Sequence, residues 1–73
     1  MPTNTRKLKA KMVECGITAS QMSQIIGISR QAFSHKLNNK ADFRATEIMT
    51  ICDKLGIEDV APYFFCGADS QNG

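Results

Sequence analysis

A chain of 73 residues holds one domain and no more, and at that size it buries only about 60% of its unfolded surface, so its margin of stability is small. Apolar residues make up 42% of it and the net charge is +2, yet no run approaches the roughly 20 apolar residues of a membrane span, and no apolar segment follows the basic start as a signal peptide requires. These limits point to a soluble, cytoplasmic protein without membrane contact.

The first helix is predicted to begin near Thr3 or Thr5, either of which can cap it. Leu8, Met12 and Cys15 recur on it at helical spacing with Val13 beside them, while Arg6, Lys7, Lys9 and Lys11 form a solvated outer face. Gly16 stops it in a left-handed turn. Thr18 and Gln21 make a capping-box pattern, and a second helix follows with Met22, Ile25 and Ile26 as its buried stripe. Gly27 breaks that helix early. Ser29 caps a third, which starts at Arg30, carries Ala32, Phe33 and Leu37, and stops in Asn38-Asn39-Lys40. Asn39 there takes the left-handed conformation usually given to Gly. A loop through Asp42 and Phe43 leads to a fourth helix from Ala45 to Leu55, whose apolar set is Ile48, Met49, Ile51, Cys52 and Leu55, with Gly56 as its stop. Ile57 and Val60 flank Glu58 and Asp59, and Pro62 favours a short helical piece carrying Tyr63, Phe64 and Phe65. The fold class is all-α: four to five short helices around a central helix-turn-helix, with the domain at 1–66 and a polar tail at 67–73 expected to be disordered.

Cys15, Cys52 and Cys66 include no C-x-x-C pair, and His35 is the one histidine. That spacing provides neither a zinc site nor a disulfide framework, so no metal or other cofactor is expected. Cys15 and Cys52 sit at apolar helical positions and are assigned to the core, as are Met12, Met22 and Met49. His35 has no carboxylate or cysteine nearby in sequence to make it a base or a ligand. Paired carboxylates, an activated nucleophile and a cofactor loop are all missing, which argues against an enzyme.

Charge is unevenly placed. Through Lys40 the basic residues are Arg6, Lys7, Lys9, Lys11, Arg30, Lys36 and Lys40 against Glu14 alone. From Ala41 onward Arg44 and Lys54 face Asp42, Glu47, Asp53, Glu58, Asp59 and Asp69. A basic half and an acidic half are expected where one side meets a polyanion.

The segment from Ala19 to Leu37 has the parts that two steeply crossed helices need: Ser23 as a small residue at their contact, Gly27 in the turn, and Met22, Ile26, Ile28 and Phe33 to fill the angle. With TASQMSQIIGISRQAFSHKLNNK, FRATEIMTICDKLGI and APYFF, the chain resembles the Cro/repressor-like (XRE) helix-turn-helix family, particularly small proteins of phages and prophages. The resemblance runs from about Leu8 to Phe65. It implies the lambda repressor-like fold, transcriptional regulation, and dimers on palindromic double-stranded operators. One departure stands out: the family usually has an apolar residue where Lys36 stands, and here the apolar residue is Leu37. A slight roll of the recognition helix would leave either Ser34 or His35 the more direct view of the groove.

With Phe33 and Leu37 turned inward, Gln31, Ser34, His35 and Asn38 fall on the opposite face and Arg30 projects from the exposed start. Recognition helices present their N-terminal residues to base edges, Arg suiting guanine and Gln suiting adenine. Arg30 and Gln31 are therefore the first candidates for base reading, and Ser34 and His35 the second. Thr18, Ser20 and Gln21 at the start of the second helix, with Ser29, Asn38, Asn39, Lys40 and Arg44 around the third, are candidates for phosphate contact. Lys36 and Lys40 are otherwise general surface charges. Val60, Tyr63, Phe64 and Phe65 concentrate apolar surface and are the candidate homodimer interface; the alternative is that they close the monomer's own core. The expected mechanism is repression by operator occupancy, with no small-molecule ligand. The competing function is an antitoxin-like protein-interaction module on the same fold, against which Arg30 and Gln31 speak.

Overall fold

Local chemistry sets each helix boundary. The computed structural model describes residues 3–64 of the chain, which form α1 (Thr5–Cys15), α2 (Ala19–Ile26), α3 (Arg30–Leu37), α4 (Ala45–Leu55) and α5 (Ala61–Phe64). There is no strand among the described residues. The expectations for Phe65, Cys66 and the tail at 67–73 lie outside them.

Asn4, rather than Thr3 or Thr5, caps α1: its side-chain oxygen accepts the Lys7 N–H at 3.1 Å. Both threonines are drawn elsewhere. Thr3 is buried and exchanges two hydrogen bonds with the Asn39 side chain, its N–H donating to Oδ1 at 2.7 Å and its carbonyl accepting from Nδ2 at 3.0 Å. The Thr5 hydroxyl donates to the Leu37 carbonyl, and the Asn4 N–H donates to the Tyr63 carbonyl at 2.7 Å. The first described residues thus strap the end of α3 to α5.

The predicted capping box holds on α2. Thr18 Oγ1 accepts the Gln21 N–H at 3.1 Å and Gln21 Oε1 accepts the Thr18 N–H at 2.8 Å. Gly27 closes α2 at φ 90°, and its N–H and that of Ile28 both donate to the Ser23 carbonyl. Ser23 is buried, as a contact between crossed helices requires, and its hydroxyl is satisfied by the Ser20 carbonyl at 2.8 Å. Ser29 caps α3 through the Ala32 N–H at 3.0 Å. Asn39 takes the left-handed conformation at φ 65°.

α2 packs on α3 and α4, and α1 packs on α4 and α5. The core holds Leu8, Met12, Met22, Phe33, Leu37, Phe43, Ile51, Cys52, Leu55, Ile57 and Phe64. Three aromatic rings run through it edge to face, Phe33 to Phe43 at 5.9 Å and Phe43 to Phe64 at 5.6 Å, each pair adding about 0.5–1.5 kcal/mol beyond burial. They join α3 to α5 through the loop before α4.

Several apolar residues assigned to buried stripes face water instead. Val13 is 79% exposed, Met49 69% and Ile25 38%. Cys15 is exposed too, with its thiol toward the Leu55 carbonyl at 3.6 Å. Helices this short bury a narrow strip, so residues one position off its centre fall outside it. Cys52 is buried as expected, and burial pushes its thiol up from the ordinary value.

Candidate nucleic-acid interface

The surface of α3 follows from what its other side buries. Phe33 and Leu37 are fully withdrawn into the core, and Lys36 lies between them with its side chain 15% exposed. At about 100° per residue, Gln31, His35 and Asn38 point away from that buried strip, with Arg30 and Ser34 on one flank. All five are exposed. Arg30, Gln31, Ser34 and His35 line one groove together with Asn38. The side chains of Arg30, Gln31 and His35 make no hydrogen bond or ion pair among the described residues. Ser34 and Asn38 are mutually engaged, Asn38 Nδ2 donating to the Ser34 carbonyl at 2.9 Å and lying 3.4 Å from its hydroxyl.

A further basic group lines the same groove. Lys9 of α1 reaches it, as does Ala19 at the start of α2. From spacing, Lys9 belongs to a face that is either solvated or in touch with a DNA backbone; its position beside α3 depends on how α1 crosses the motif, which local spacing does not encode.

The candidate phosphate contacts divide into free and engaged groups. Ser20 and Lys40 are exposed, and Lys40 keeps its ammonium clear while its N–H closes the turn onto the His35 carbonyl at 2.8 Å. Thr18, Gln21 and Ser29 use their side-chain oxygens as caps, which leaves the two hydroxyls and the Gln21 amide nitrogen able to donate. Asn39 is a correction: both polar atoms of its side chain are held by Thr3 and its N–H donates to the Lys36 carbonyl at 3.2 Å, so it is an engaged turn residue rather than a free phosphate donor. Arg44 is exposed, and its N–H donates to Glu47 Oε1 at 2.8 Å.

Lys36 is a second correction. It is no free surface charge, because its ammonium meets both oxygens of Glu47 at 2.7 and 2.8 Å, and Glu47 is itself buried. Burial alone would raise the Glu47 pKa, but the Lys36 hydrogen bond, the Arg44 N–H and the fields of both cations outweigh it. The carboxyl is held below its ordinary value. A charged pair in the α3–α4 seam has no periodic signature, since its halves lie on different helices.

Among the C-terminal aromatics, Phe64 takes the alternative reading, closure of the monomer's own core. Phe64 is 1% exposed and packs on Phe43, so it closes the monomer's core and cannot form a dimer contact. Val60 and Tyr63 remain half-buried, and Lys7 lies over the Tyr63 ring at 5.2 Å from its centroid.

Among the described residues, no cluster of His, Cys, Asp and Glu could hold a metal, and no helix is long and apolar enough to cross a membrane. No curated protein and no solved structure matches the chain significantly. The family model for the Cro/C1-type helix-turn-helix DNA-binding domain matches residues 7–59, which span most of α1 and all of α2, α3 and α4. With that match over most of its length, and with an exposed, basic-led α3 set on a buried strip, the chain belongs to the Cro/C1-type (XRE) family of non-enzymatic helix-turn-helix DNA-binding domains.

Proposed function

We propose that this protein is a sequence-specific transcriptional repressor of the phage or prophage type, which occupies a palindromic operator as a homodimer. The observation that carries the reading is the state of α3: Arg30, Gln31 and His35 are exposed and unengaged on the face opposite its buried strip. In this reading Arg30 takes guanine O6 and N7, Gln31 takes an adjacent base, and His35 faces the groove more directly than Ser34 because it lies nearer the helix's outward centre. Ser34 follows on the flank, and Asn38, on the outward face, joins the phosphate contacts. Thr18, Ser20, Gln21, Ser29, Lys40 and Arg44 hold the phosphates, joined by Lys9, and the backbone at Asn39 lies in the turn behind them.

One recognition helix reads few base pairs, and a pair set about 34 Å apart reads two half-sites. Val60 and Tyr63 support a two-fold contact around α5, with Phe65 as its proposed extension. Selection of bound sites from a random duplex library tests the whole reading. The expected product is an inverted repeat whose preference relaxes at one position in Arg30→Ala, at a cost of about 1–3 kcal/mol. Lys40→Ala should weaken all sequences alike and flatten the salt dependence by about one unit of slope. An unchanged motif in Arg30→Ala refutes the assigned orientation, and a lone half-site bound by a monomer with full affinity refutes the dimer.

A further inference from the structure

The Lys36–Glu47 pair crosses the seam between the recognition helix and α4 with side chains only 15% and 10% exposed. Its geometry is tight on both sides. The ammonium contacts both carboxylate oxygens, at 2.7 and 2.8 Å, and the carboxylate is pinned from its own helix by the Arg44 N–H at 2.8 Å. No buried side-chain polar atom among the described residues lacks a partner.

Such a pair is a poor device for stability alone. Withdrawing two charges from water offsets most of their attraction, and apolar residues of similar volume often do as well or better. What the pair adds is direction. Phe33 and Leu37 set which side of α3 is buried through apolar contacts, which are non-directional, whereas a two-point ammonium–carboxylate contact is directional. A roll of about 15° moves atoms at the helix surface, about 5–6 Å from the axis, by about 1.5 Å. Base-edge hydrogen bonds tolerate displacements of only about 0.5 Å.

We infer that Lys36 and Glu47 are positioning residues that fix the roll of α3, and so determine which base edges Gln31 and His35 can meet. Lys36 stands in the recognition helix yet takes no part in phosphate neutralisation. The inference rests on the DNA-binding reading above.

The test compares wild type, Lys36→Arg, the apolar pair Lys36→Met/Glu47→Leu and the neutral pair Lys36→Gln/Glu47→Gln. Each is measured for thermal midpoint, for the site selected from a random duplex library, and for the salt dependence of binding. The neutral pair keeps a polar contact in the seam and serves if the apolar pair does not fold. Either pair should keep the wild-type salt slope while its ratio of best site to single-mismatch sites falls at least about fivefold at the positions met by Gln31 and His35. Lys36→Arg keeps the charge contact and should retain the wild-type preference. A folded double variant with undiminished discrimination overturns the inference, since the pair would then only fill space. A flattened salt slope also overturns it, by making Lys36 a phosphate contact. A wild-type protein that selects no motif at all refutes the DNA-binding reading itself, a result separable from either.

Discussion

The turn between α2 and α3 offers a substitution series whose energies can be worked out in advance. Gly27 holds φ 90° and ψ 30° and donates its N–H to the Ser23 carbonyl at 2.8 Å. A Cβ added there would meet nothing within 4 Å, so packing drops out and only the backbone conformation matters. An L-residue in the left-handed region costs about 1–2 kcal/mol, while losing glycine's freedom in the unfolded chain returns about 0.4–1 kcal/mol. Gly27→Ala should therefore lose roughly 1 kcal/mol, which for a domain of this size is a fall of about 4–8 °C in midpoint. Gly27→Val adds β-branching to positive φ and should lose at least about 2 kcal/mol. Gly27→Asn should lose least, because Asn tolerates this region and the chain already places Asn39 at φ 65°. Thermal unfolding followed by circular dichroism, at one protein concentration, ranks the series. A Val variant with the wild-type midpoint, or an Asn variant less stable than the Ala variant, would refute the conformational argument.

Acid should act through Glu47. Its folded pKa lies below the unfolded value of about 4.3, so its contribution is complete above that value and is lost as pH falls through the folded one. Urea midpoints at pH 7 and pH 3 should consequently converge in Glu47→Gln relative to wild type, and an unchanged difference between them would place the acid sensitivity elsewhere. Cys15 and Cys52 should separate under alkylation of the folded protein: exposed Cys15 reacts before Cys52, which is buried with a raised thiol pKa and stays protected until unfolding. Peptide mass mapping reads the order, and equal labelling of the two would contradict the burial of Cys52.

Features made by neighbours in sequence were the legible ones. Thr18 with Gln21, Gly27, Ser29 and Asn39 each announce a boundary because their partner groups lie within a turn. The exposed face of α3 follows equally well, since Phe33 and Leu37 mark its buried side. Apolar character was a weaker guide: Val13, Ile25, Met49 and Cys15 match helical spacing yet face water, because the strip that each helix buries is set by its neighbours' angle. Contacts between distant elements left no local trace. Lys36 meets Glu47, Asn39 meets Thr3, and Phe64 meets Phe43, and each changed a role that spacing alone had suggested. Asn4 displaced Thr3 and Thr5 as the α1 cap for the same reason, as both threonines serve α3 instead.

The strap made by Thr3, Asn4 and Thr5 has a consequence for how the protein comes into being. Its bonds run from the first described residues to Leu37, Asn39 and Tyr63, so they close loops that include almost everything synthesised between. Closing a loop of some 60 residues carries an entropy cost of about 3–4 kcal/mol before any contact rewards it, which places this knot late in assembly. A polypeptide emerging from the ribosome can wind α2 and α3 and still lack the tether behind the recognition helix, because the carbonyl that anchors Asn4 belongs to Tyr63. The turn carrying Asn39 and Lys40 is held by Thr3, whose neighbour Asn4 is anchored on Tyr63, so a chain cut short before α5 loses the anchor behind that grip.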